Sequence, residues 1–346
     1  MAEYAPISFV KNIYNAFGVD QEISRNVYDI AKDYDLQKSA WNYAMSKANG
    51  DLGSESIFNS FISKFKSELH SKLNITEIKG LTDTELFMYI MNVHTSSTWR
   101  ENKISYKVDK ELLRQFYEMD LPRSIIVDYL VKHPSEIYYI DISQYGDKIL
   151  KGSHGIFIST QYNERNIFVI RLTILVPQDN CEDIYIMHMG IPLDDSKELI
   201  LDENSFEGFI DKDVNAKYLY RLIMNFILYL HASNRDVEIS ERTRSNHTRP
   251  KTTTVKDKFR ELKEFEVGVR YGNEVRKNKV RYKYIGEKQD NNESDKRRVT
   301  SHYRAAHWHR YWVGSGNNKT LELRWIEGVF VKGSIESNDV TIHKVR

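Results

Sequence analysis

The feature that most limits the fold is a change of hydrophobic period near residue 136. Four segments rich in Ile, Val, Tyr and Phe follow one another there, separated by short stretches of Gly, Asn, Asp and Ser. Such segments are typical of β-strands, and the separating stretches are typical of turns. The stretches are too short for the crossover helix that a parallel strand pair needs. An antiparallel sheet is therefore predicted from EIYYIDIS, HGIFISTQ, NIFVIRLTILVP and DIYIMHMGIPL.

Residues 1–135 have a helical period instead. In SESIFNSFISKFKSELHSKL, Phe61, Phe65 and Leu69 recur every four residues and so share one helix face. The later segment DVNAKYLYRLIMNFILYLHASN is apolar on most sides, which predicts a buried helix. Together the patterns predict an α+β fold. Its three parts are a helical domain over 1–135, an antiparallel sheet with a buried helix over 136–240, and a basic, aromatic-rich C-terminal domain with a β-hairpin over 241–346.

Charge is distributed unevenly along a nearly neutral chain. The formal net charge is +1, yet residues 242–346 hold 25 Lys and Arg against 13 Asp and Glu, a net charge of +12. The preceding 241 residues therefore carry a net charge of −11. A basic segment of this size favours a polyanionic partner such as nucleic acid. Docking of the basic end on the acidic body is the alternative explanation.

Composition also excludes several classes of protein. Cys181 is the single cysteine, which excludes an internal disulfide framework and a multi-cysteine zinc site. No apolar run reaches the ~18 residues of a membrane span, and the first residues lack the pattern of a signal peptide. We therefore expect a cytoplasmic protein with no membrane partner and no cofactor. We also expect no bound metal, apart from one alternative considered below for a histidine pair.

The most distinctive segment is RAAHWHRYWVGSGNNKTLELRWIEGVFVKG, residues 304–333. Its alternation predicts two β-strands, and the Gly and Asn residues between them can reverse the chain. Successive side chains of a strand point to opposite faces, so two imidazoles and a phenol share one face of the first strand. Two indoles and a guanidinium share the other. The residues are His307, His309 and Tyr311, then Trp308, Trp312 and Arg310.

Three interpretations of this hairpin stay open. In the first, His307 and His309 chelate a metal ion, with Glu322 or Glu327 as a third ligand. In the second, the hairpin is the centre of a metal-independent ribonuclease that acts as a toxin. One histidine then removes the 2′-hydroxyl proton of RNA and the other protonates the leaving oxygen, because histidine titrates near neutral pH. Arg304 or Arg310 would stabilise the charged phosphorane.

In the third interpretation the hairpin binds a partner without cutting it. Aromatic side chains stack on bases or on a peptide while Arg and Lys hold phosphates. Trp308 and Trp312 are then expected in the core, with the histidines hydrogen-bonded at an interface. A plasmid or phage maintenance protein that binds DNA is disfavoured, because the basic part has no clear helix-turn-helix. The candidate RNA-binding residues are Arg244, Arg249, Arg270, Arg281, Arg298, Trp308, Tyr311, Trp312 and Arg324.

Three runs of the C-terminal third resemble a known family. They are VGVRYG at 267–272, SHYRAAHWHRYWVG at 301–314 and LELRWIEGVFVKG at 321–333. They are similar to type V-A anti-CRISPR proteins carried by plasmids, phages and integrative elements, which have a basic R-x-A-H-W-H-x-Y/F-W-x-G strand and then L-x-W-I-P-P-x-x-V-N. This chain departs from the pattern at Glu327-Gly328, where the family has two prolines, and in its VFVKG ending.

The resemblance implies a protein that lowers the amount of a CRISPR effector nuclease by triggering loss of its mRNA during translation. Its implied partners are RNA at the ribosome, the nascent amino-terminal polypeptide of the target and, where the cut is not intrinsic, a host ribonuclease. A strand-rich body suits an extended peptide, which can pair with a sheet edge. No catalytic role is carried over by the resemblance. The candidates in the matching motifs are Arg270, Arg304, His307, Trp308, His309, Arg310, Trp312 and Trp325.

Overall fold

The computed structural model describes residues 55–73, 82–126, 137–162, 167–177, 182–192, 198–200, 215–240, 262–286, 302–316, 318–331 and 341–343, with single positions 6, 39 and 43. Five α-helices have both ends within these residues. They are α1 (Glu55–Leu73), α2 (Asp83–Asn102), α3 (Lys110–Glu118), α4 (Ala216–His231) and α5 (Val269–Gly286). A short 3-10 helix spans Gly146–Lys148.

The strands group into one large sheet and three small ones. The large sheet contains β1 (Ile104–Val108), β3 (Ile137–Asp141), β4 (Gly155–Tyr162), β5 (Ile167–Pro177), β6 (Glu182–Pro192), β8 (Val237–Ile239) and β9 (Lys263–Val267). The small sheets contain β2 (Ser124–Ile126) with β7 (Glu198–Ile200), β11 (His307–Val313) with β12 (Thr320–Ile326), and β10 (His302–Arg304) between β13 (Val329–Val331) and β14 (Thr341–His343).

The large sheet is mixed, in the order β6-β5-β4-β3-β1-β9-β8. Strands β3 to β6 pair antiparallel, as predicted from their composition and from connections too short for a crossover helix. Strand β1 instead lies parallel to both β3 and β9. A parallel pair needs a long connection, and the segment between β1 and β3 supplies one because it includes α3. The predicted α+β class is confirmed, and the sheet is mixed rather than antiparallel throughout.

The sheet draws strands from all three predicted parts of the sequence. Strand β1 comes from 1–135, β3 to β6 and β8 come from 136–240, and β9 comes from 241–346. The domain boundaries at 135 and 240 stay a prediction. Within the described ranges, no helix is long and apolar enough to cross a membrane.

One face of the sheet is apolar and packs on α3 and α4. The predicted buried helix is α4, which has eleven buried residues. Its N-cap is Asn215, whose side chain accepts a hydrogen bond from the Tyr218 backbone N–H at 3.3 Å. Phe226 of α4 contacts Tyr106 and Tyr138 of the sheet, with ring centroids 5.3 and 6.1 Å apart. Burial of this aromatic and aliphatic surface is the main source of stability for the fold.

Helix α3 joins this core to the chain that follows β9. Asp109 caps α3 by accepting from the Glu111 backbone N–H at 2.9 Å, and its carboxylate also receives two hydrogen bonds from Arg276 of α5, at 3.0 and 2.9 Å. Gly268, with φ of +75°, turns the chain from β9 into α5. Helix α5 begins directly after this turn, at Val269.

The opposite face of the sheet packs on α2, which has both apolar and polar buried residues. Trp99 of α2 lies edge-on to Phe157, with centroids 5.7 Å apart, and its Nε1 donates to the Ile104 carbonyl at 2.8 Å. Helix α1 has the predicted apolar face, with Phe61, Phe65 and Leu69 buried.

Candidate functional site

The predicted hairpin is formed by β11 and β12, which pair antiparallel from His307 opposite Ile326 to Val313 opposite Thr320. Gly314 and Gly316 adopt φ values of +112° and +58°, a region that L-residues with side chains rarely occupy. A Cβ at position 314 would also lie 2.3 Å from the Asn318 carbonyl oxygen. The turn therefore requires glycine at position 314, as the Gly-rich sequence suggests.

The base of the hairpin is anchored in the apolar core by two tryptophans. Trp325 is 1% exposed, and Trp308 lies edge-on to it with centroids 5.2 Å apart. Trp325 also contacts Phe116 of α3 at 5.7 Å and Tyr229 of α4 at 5.5 Å, again edge-on. Edge-to-face pairs of this kind each contribute about 0.5–1.5 kcal/mol beyond their burial. Trp308, which was expected in the core, packs against the core but is only half-buried.

A buried amide fixes the hairpin to both helices. Asn225, in the middle of α4, accepts from Trp308 Nε1 at 2.8 Å and donates to the carbonyls of Phe116 and Met119 at 3.1 and 3.4 Å. Those carbonyls lie at the end of α3, where backbone acceptors have no partner within the helix. Asn234 adds a 2.6 Å hydrogen bond to the Trp325 carbonyl. The hairpin is thus held by hydrogen bonds as well as by packing.

Arg310 lies on the inner face of the hairpin, opposite to the histidines. Its guanidinium donates to the Ser124 carbonyl and, at 3.0 Å, to the Ser124 hydroxyl. The structure therefore does not bring Arg310 together with His307 and His309. Arg310 connects the hairpin to β2 in this arrangement.

The outer face of the hairpin carries the histidines, a tyrosine and an ion pair. The rings of His309 and Tyr311 are 4.4 Å apart, and the Arg324 guanidinium lies over the Tyr311 ring at 5.6 Å. Arg324 also forms a 2.9 Å ion pair with Glu322. Hydrogen bonds from Ser233 and then from Arg324 lower the pKa of Glu322. Arg324 is thus the arginine that lies on the same face of the hairpin as the histidines.

His307 lies at the base of this face. Its Nδ1 is 3.2 Å from the Ala305 carbonyl, a contact in which a protonated Nδ1 donates. Among the described residues, no group of three or more His, Cys, Asp or Glu side chains is placed to hold a metal ion. The two carboxylates predicted as third ligands have other neighbours, since Glu322 pairs with Arg324 and Glu327 lies 4.0 Å from Arg270. The arrangement favours a contact surface over a chelate.

The tip of the hairpin is exposed, and the expectation that Trp312 lies in the core was wrong. Trp312 is 69% exposed, and its neighbours Tyr311 and Val313 are 40% and 37% exposed. Alternation places Trp312 on the same face as Trp308, but near the end of β11, where the residues of both strands next to the turn are exposed.

The remaining predicted residues are spread around the hairpin. Arg304 is exposed on β10, and Arg270 is exposed at the beginning of α5. The Asp236 carboxylate accepts from the Arg270 backbone N–H at 2.7 Å and so caps α5. Burial and the nearby Glu274 raise the pKa of Glu327. Arg281 belongs to α5, whereas the predicted RNA-binding residues outside the described part of the chain are Arg244, Arg249 and Arg298.

The sequence also matches a known protein family. Residues 106–333 match the AcrVA2-like family, described as the anti-CRISPR type V subtype A2 family. The chain belongs to that family. The match spans the sheet strands from β1 onward, both core helices and the whole hairpin. The predicted resemblance to type V-A anti-CRISPR proteins is therefore confirmed, and it supports an anti-CRISPR function.

Other comparisons add less. No curated protein matches the chain. Among solved structures, the crystal structure of AcrVA2 aligns with 91% of this chain and 100% of its own, with 19% sequence identity and a TM-score of 0.46.

Proposed function

We propose that this anti-CRISPR family member causes translation-coupled loss of a specific mRNA by recognising the nascent polypeptide that the mRNA encodes. Membership of the family supports the anti-CRISPR part of the proposal. The hairpin supports the RNA part, and its exposed tip is the observation that carries it.

Trp312 is the most exposed large hydrophobic side chain among the described residues. Exposing an indole to water is unfavourable, and Trp312 follows Tyr311 on a hairpin whose base is rigidly packed. Lys319 in the turn adds a positive charge to the tip, and the Arg324 guanidinium, which is paired with Glu322, lies over the Tyr311 ring. Aromatic side chains next to cations bind single-stranded nucleic acid, because bases stack on the rings and phosphates pair with the charges. The tip therefore has the chemistry to bind RNA.

Peptide recognition and RNA recognition are separable by recoding the target. A synonymously recoded message keeps the peptide and changes the RNA sequence, whereas a pair of compensating frameshifts near the start keeps nearly all of the RNA and changes the peptide. The proposal predicts loss of the recoded message and survival of the frameshifted one. Loss of the frameshifted message at the same rate would contradict nascent-peptide recognition.

The binding role of the tip is tested with purified protein and labelled single-stranded RNA. We expect Trp312→Ala to weaken binding about 10-fold or more, since one base–aromatic stack contributes about 1–3 kcal/mol. Ile239→Ala is the matched control, because Ile239 is also an exposed hydrophobic residue, at 47%, but belongs to β8 and not to the hairpin. Equal binding of RNA by wild type and Trp312→Ala would show that the tip does not bind RNA.

An intrinsic ribonuclease is the second candidate, and the shared outer face of His309, Tyr311 and Arg324 favours it. In that case one imidazole acts as base and the other as acid, and Arg324 rather than Arg310 neutralises the phosphorane. Purified protein should then cut RNA without metal, and His309→Ala should abolish cutting while binding survives. If cutting appears only with added cell extract, the nuclease is a host enzyme.

A further inference from the structure

The interface between α2 and the sheet is unusually polar for a buried contact. Helix–sheet interfaces are normally apolar, because an unpaired polar group is costly to remove from water. Here the hydroxyls of Thr95 and Thr173 lie 3.5 Å apart across the interface. Arg171 of β5 also reaches across the interface to His94 of α2, and along the sheet to Ser159 of β4.

Arg171 is the centre of this polar region. It is 3% exposed, and all its hydrogen bonds within the described residues go to uncharged groups. Its Nη1 is 3.0 Å from the Met91 sulfur, and its Nη2 is 2.8 Å from His94 Nδ1 and 3.4 Å from the Ser159 hydroxyl. Burial, and then the charge of Arg171, lower the pKa of His94, so the imidazole stays a neutral acceptor.

The charge of Arg171 has no partner of opposite sign within the part of the chain that the structure describes. Burial lowers the pKa of Arg171 to about 10, which leaves the guanidinium charged at neutral pH. Glu264, a buried carboxylate of the same sheet, lies four strands away, about 19 Å at the usual strand spacing. Arg221, by comparison, lies 2.6 Å from the Asp120 carboxylate. A buried cation without a counter-charge is strongly unfavourable, so the surroundings of Arg171 favour the binding of an anion.

Further polar atoms at the interface are also unsatisfied. The Nε of Arg171 has no hydrogen-bond partner in the described ranges, and neither has the side-chain amide of Asn92, which follows Met91 on α2. Both groups can donate to an anion. Buried polar groups are nearly always paired, and exceptions concentrate at functional sites. The unsatisfied donors and the uncompensated charge of Arg171 therefore both favour the binding of an anion.

We propose that the α2–sheet interface around Arg171 is a binding site for an oxyanion, either a carboxylate or a phosphate group. Arg171 supplies the charge and a planar fork of donors that suits both groups. Because Arg171 is almost fully enclosed, the anion reaches it when α2 moves away from the sheet. A polar, incompletely bonded interface opens at lower cost than an apolar one. Binding would then link the position of α2 to the presence of the ligand.

The test is the thermal unfolding of the full chain in phosphate, in succinate and in chloride at matched ionic strength. The expected result is a rise of several degrees in the unfolding temperature, at about a hundredfold excess over the dissociation constant. The effect should occur in wild type and in Arg221→Met but not in Arg171→Met. A rise with phosphate alone or with succinate alone identifies the group that binds.

The comparison between variants decides the outcome, because phosphate also stabilises proteins by exclusion from their surface. Equal shifts in wild type and Arg171→Met would overturn the proposal, as would a wild type that responds to no anion. Should Arg171→Met fail to fold, Arg171→Lys replaces it. Lysine keeps the charge without the fork, so its shift should be smaller than that of wild type, and an equal shift refutes the site.

Discussion

The hydrogen bonds of Asn225 should contribute a large share of the stability of the hairpin. In Asn225→Ala, the Trp308 indole loses its acceptor and the carbonyls of Phe116 and Met119 lose their donor. Each buried polar group left unpaired costs about 1–3 kcal/mol. Trp308 is only half-buried and can turn toward water, so the expected loss is about 2–4 kcal/mol. That is a sizeable part of the roughly 5–15 kcal/mol that stabilises a typical domain.

Urea unfolding followed by circular dichroism and tryptophan fluorescence measures this loss. Asn234→Ala is the matched control, because Asn234 is an exposed asparagine that makes one hydrogen bond to the Trp325 carbonyl. The control should lose about 1 kcal/mol or less.

A double-mutant cycle sharpens the argument. Trp308→Phe removes the Nε1 donor and keeps most of the ring, so the Asn225–Trp308 hydrogen bond is absent in either single variant. The double variant should therefore lose about 1 kcal/mol less than the sum of the two single losses. Strict additivity, or an Asn225→Ala protein within about 0.5 kcal/mol of wild type, would refute the assigned role of the amide.

Trp325→Ala should cost about 3–5 kcal/mol in urea unfolding, whereas Trp312→Ala should stay within about 0.5 kcal/mol of wild type; equal losses would contradict the described packing. Because burial and Arg171 lower the pKa of His94 below 6.5, the unfolded state binds the extra proton. The free energy of unfolding should then fall below pH 6.5, by at most about 1.4 kcal/mol per pH unit from this residue, and His94→Gln should flatten the slope. Gly155→Ala should destabilise by about 1–3 kcal/mol, because a Cβ there would lie 1.7 Å from the hydroxyl of Tyr139; an unchanged urea midpoint would show that the ring can move aside.

Much of the local structure follows from periodicity. The run of β-rich segments after residue 136 predicted β3 to β6, because strands joined by connections without a crossover helix usually pair with each other. The hairpin followed in the same way from alternation and from the Gly-rich turn. These are contacts between neighbours in sequence, for which the residues themselves carry the information.

The long-range arrangement is different. Nothing in ISYKV indicates that β1 lies between β3 and β9, because a parallel pair depends on the path of the whole chain rather than on the strand itself. Alternation likewise gave the correct face for Trp312 but could not show that the residues next to the turn are exposed. Asn225 is visible in the sequence as a polar residue within the apolar segment that forms α4. Its three hydrogen-bond partners could not be predicted, because they lie in elements far from it along the chain. Arg171 is similar, since one charge in an apolar strand does not reveal which groups surround it.

We propose that the hairpin tip takes part in the loss of a translated message. The most direct measurement is transcript abundance, by sequencing of transcript ends, in cells that hold a type V-A effector message with or without its start codon. We expect the translated message to fall with wild type and with Ile239→Ala and to persist with Trp312→Ala, and the untranslated message to persist throughout. Loss of the untranslated message, or undiminished loss with a folded Trp312→Ala protein, would contradict this role of the tip.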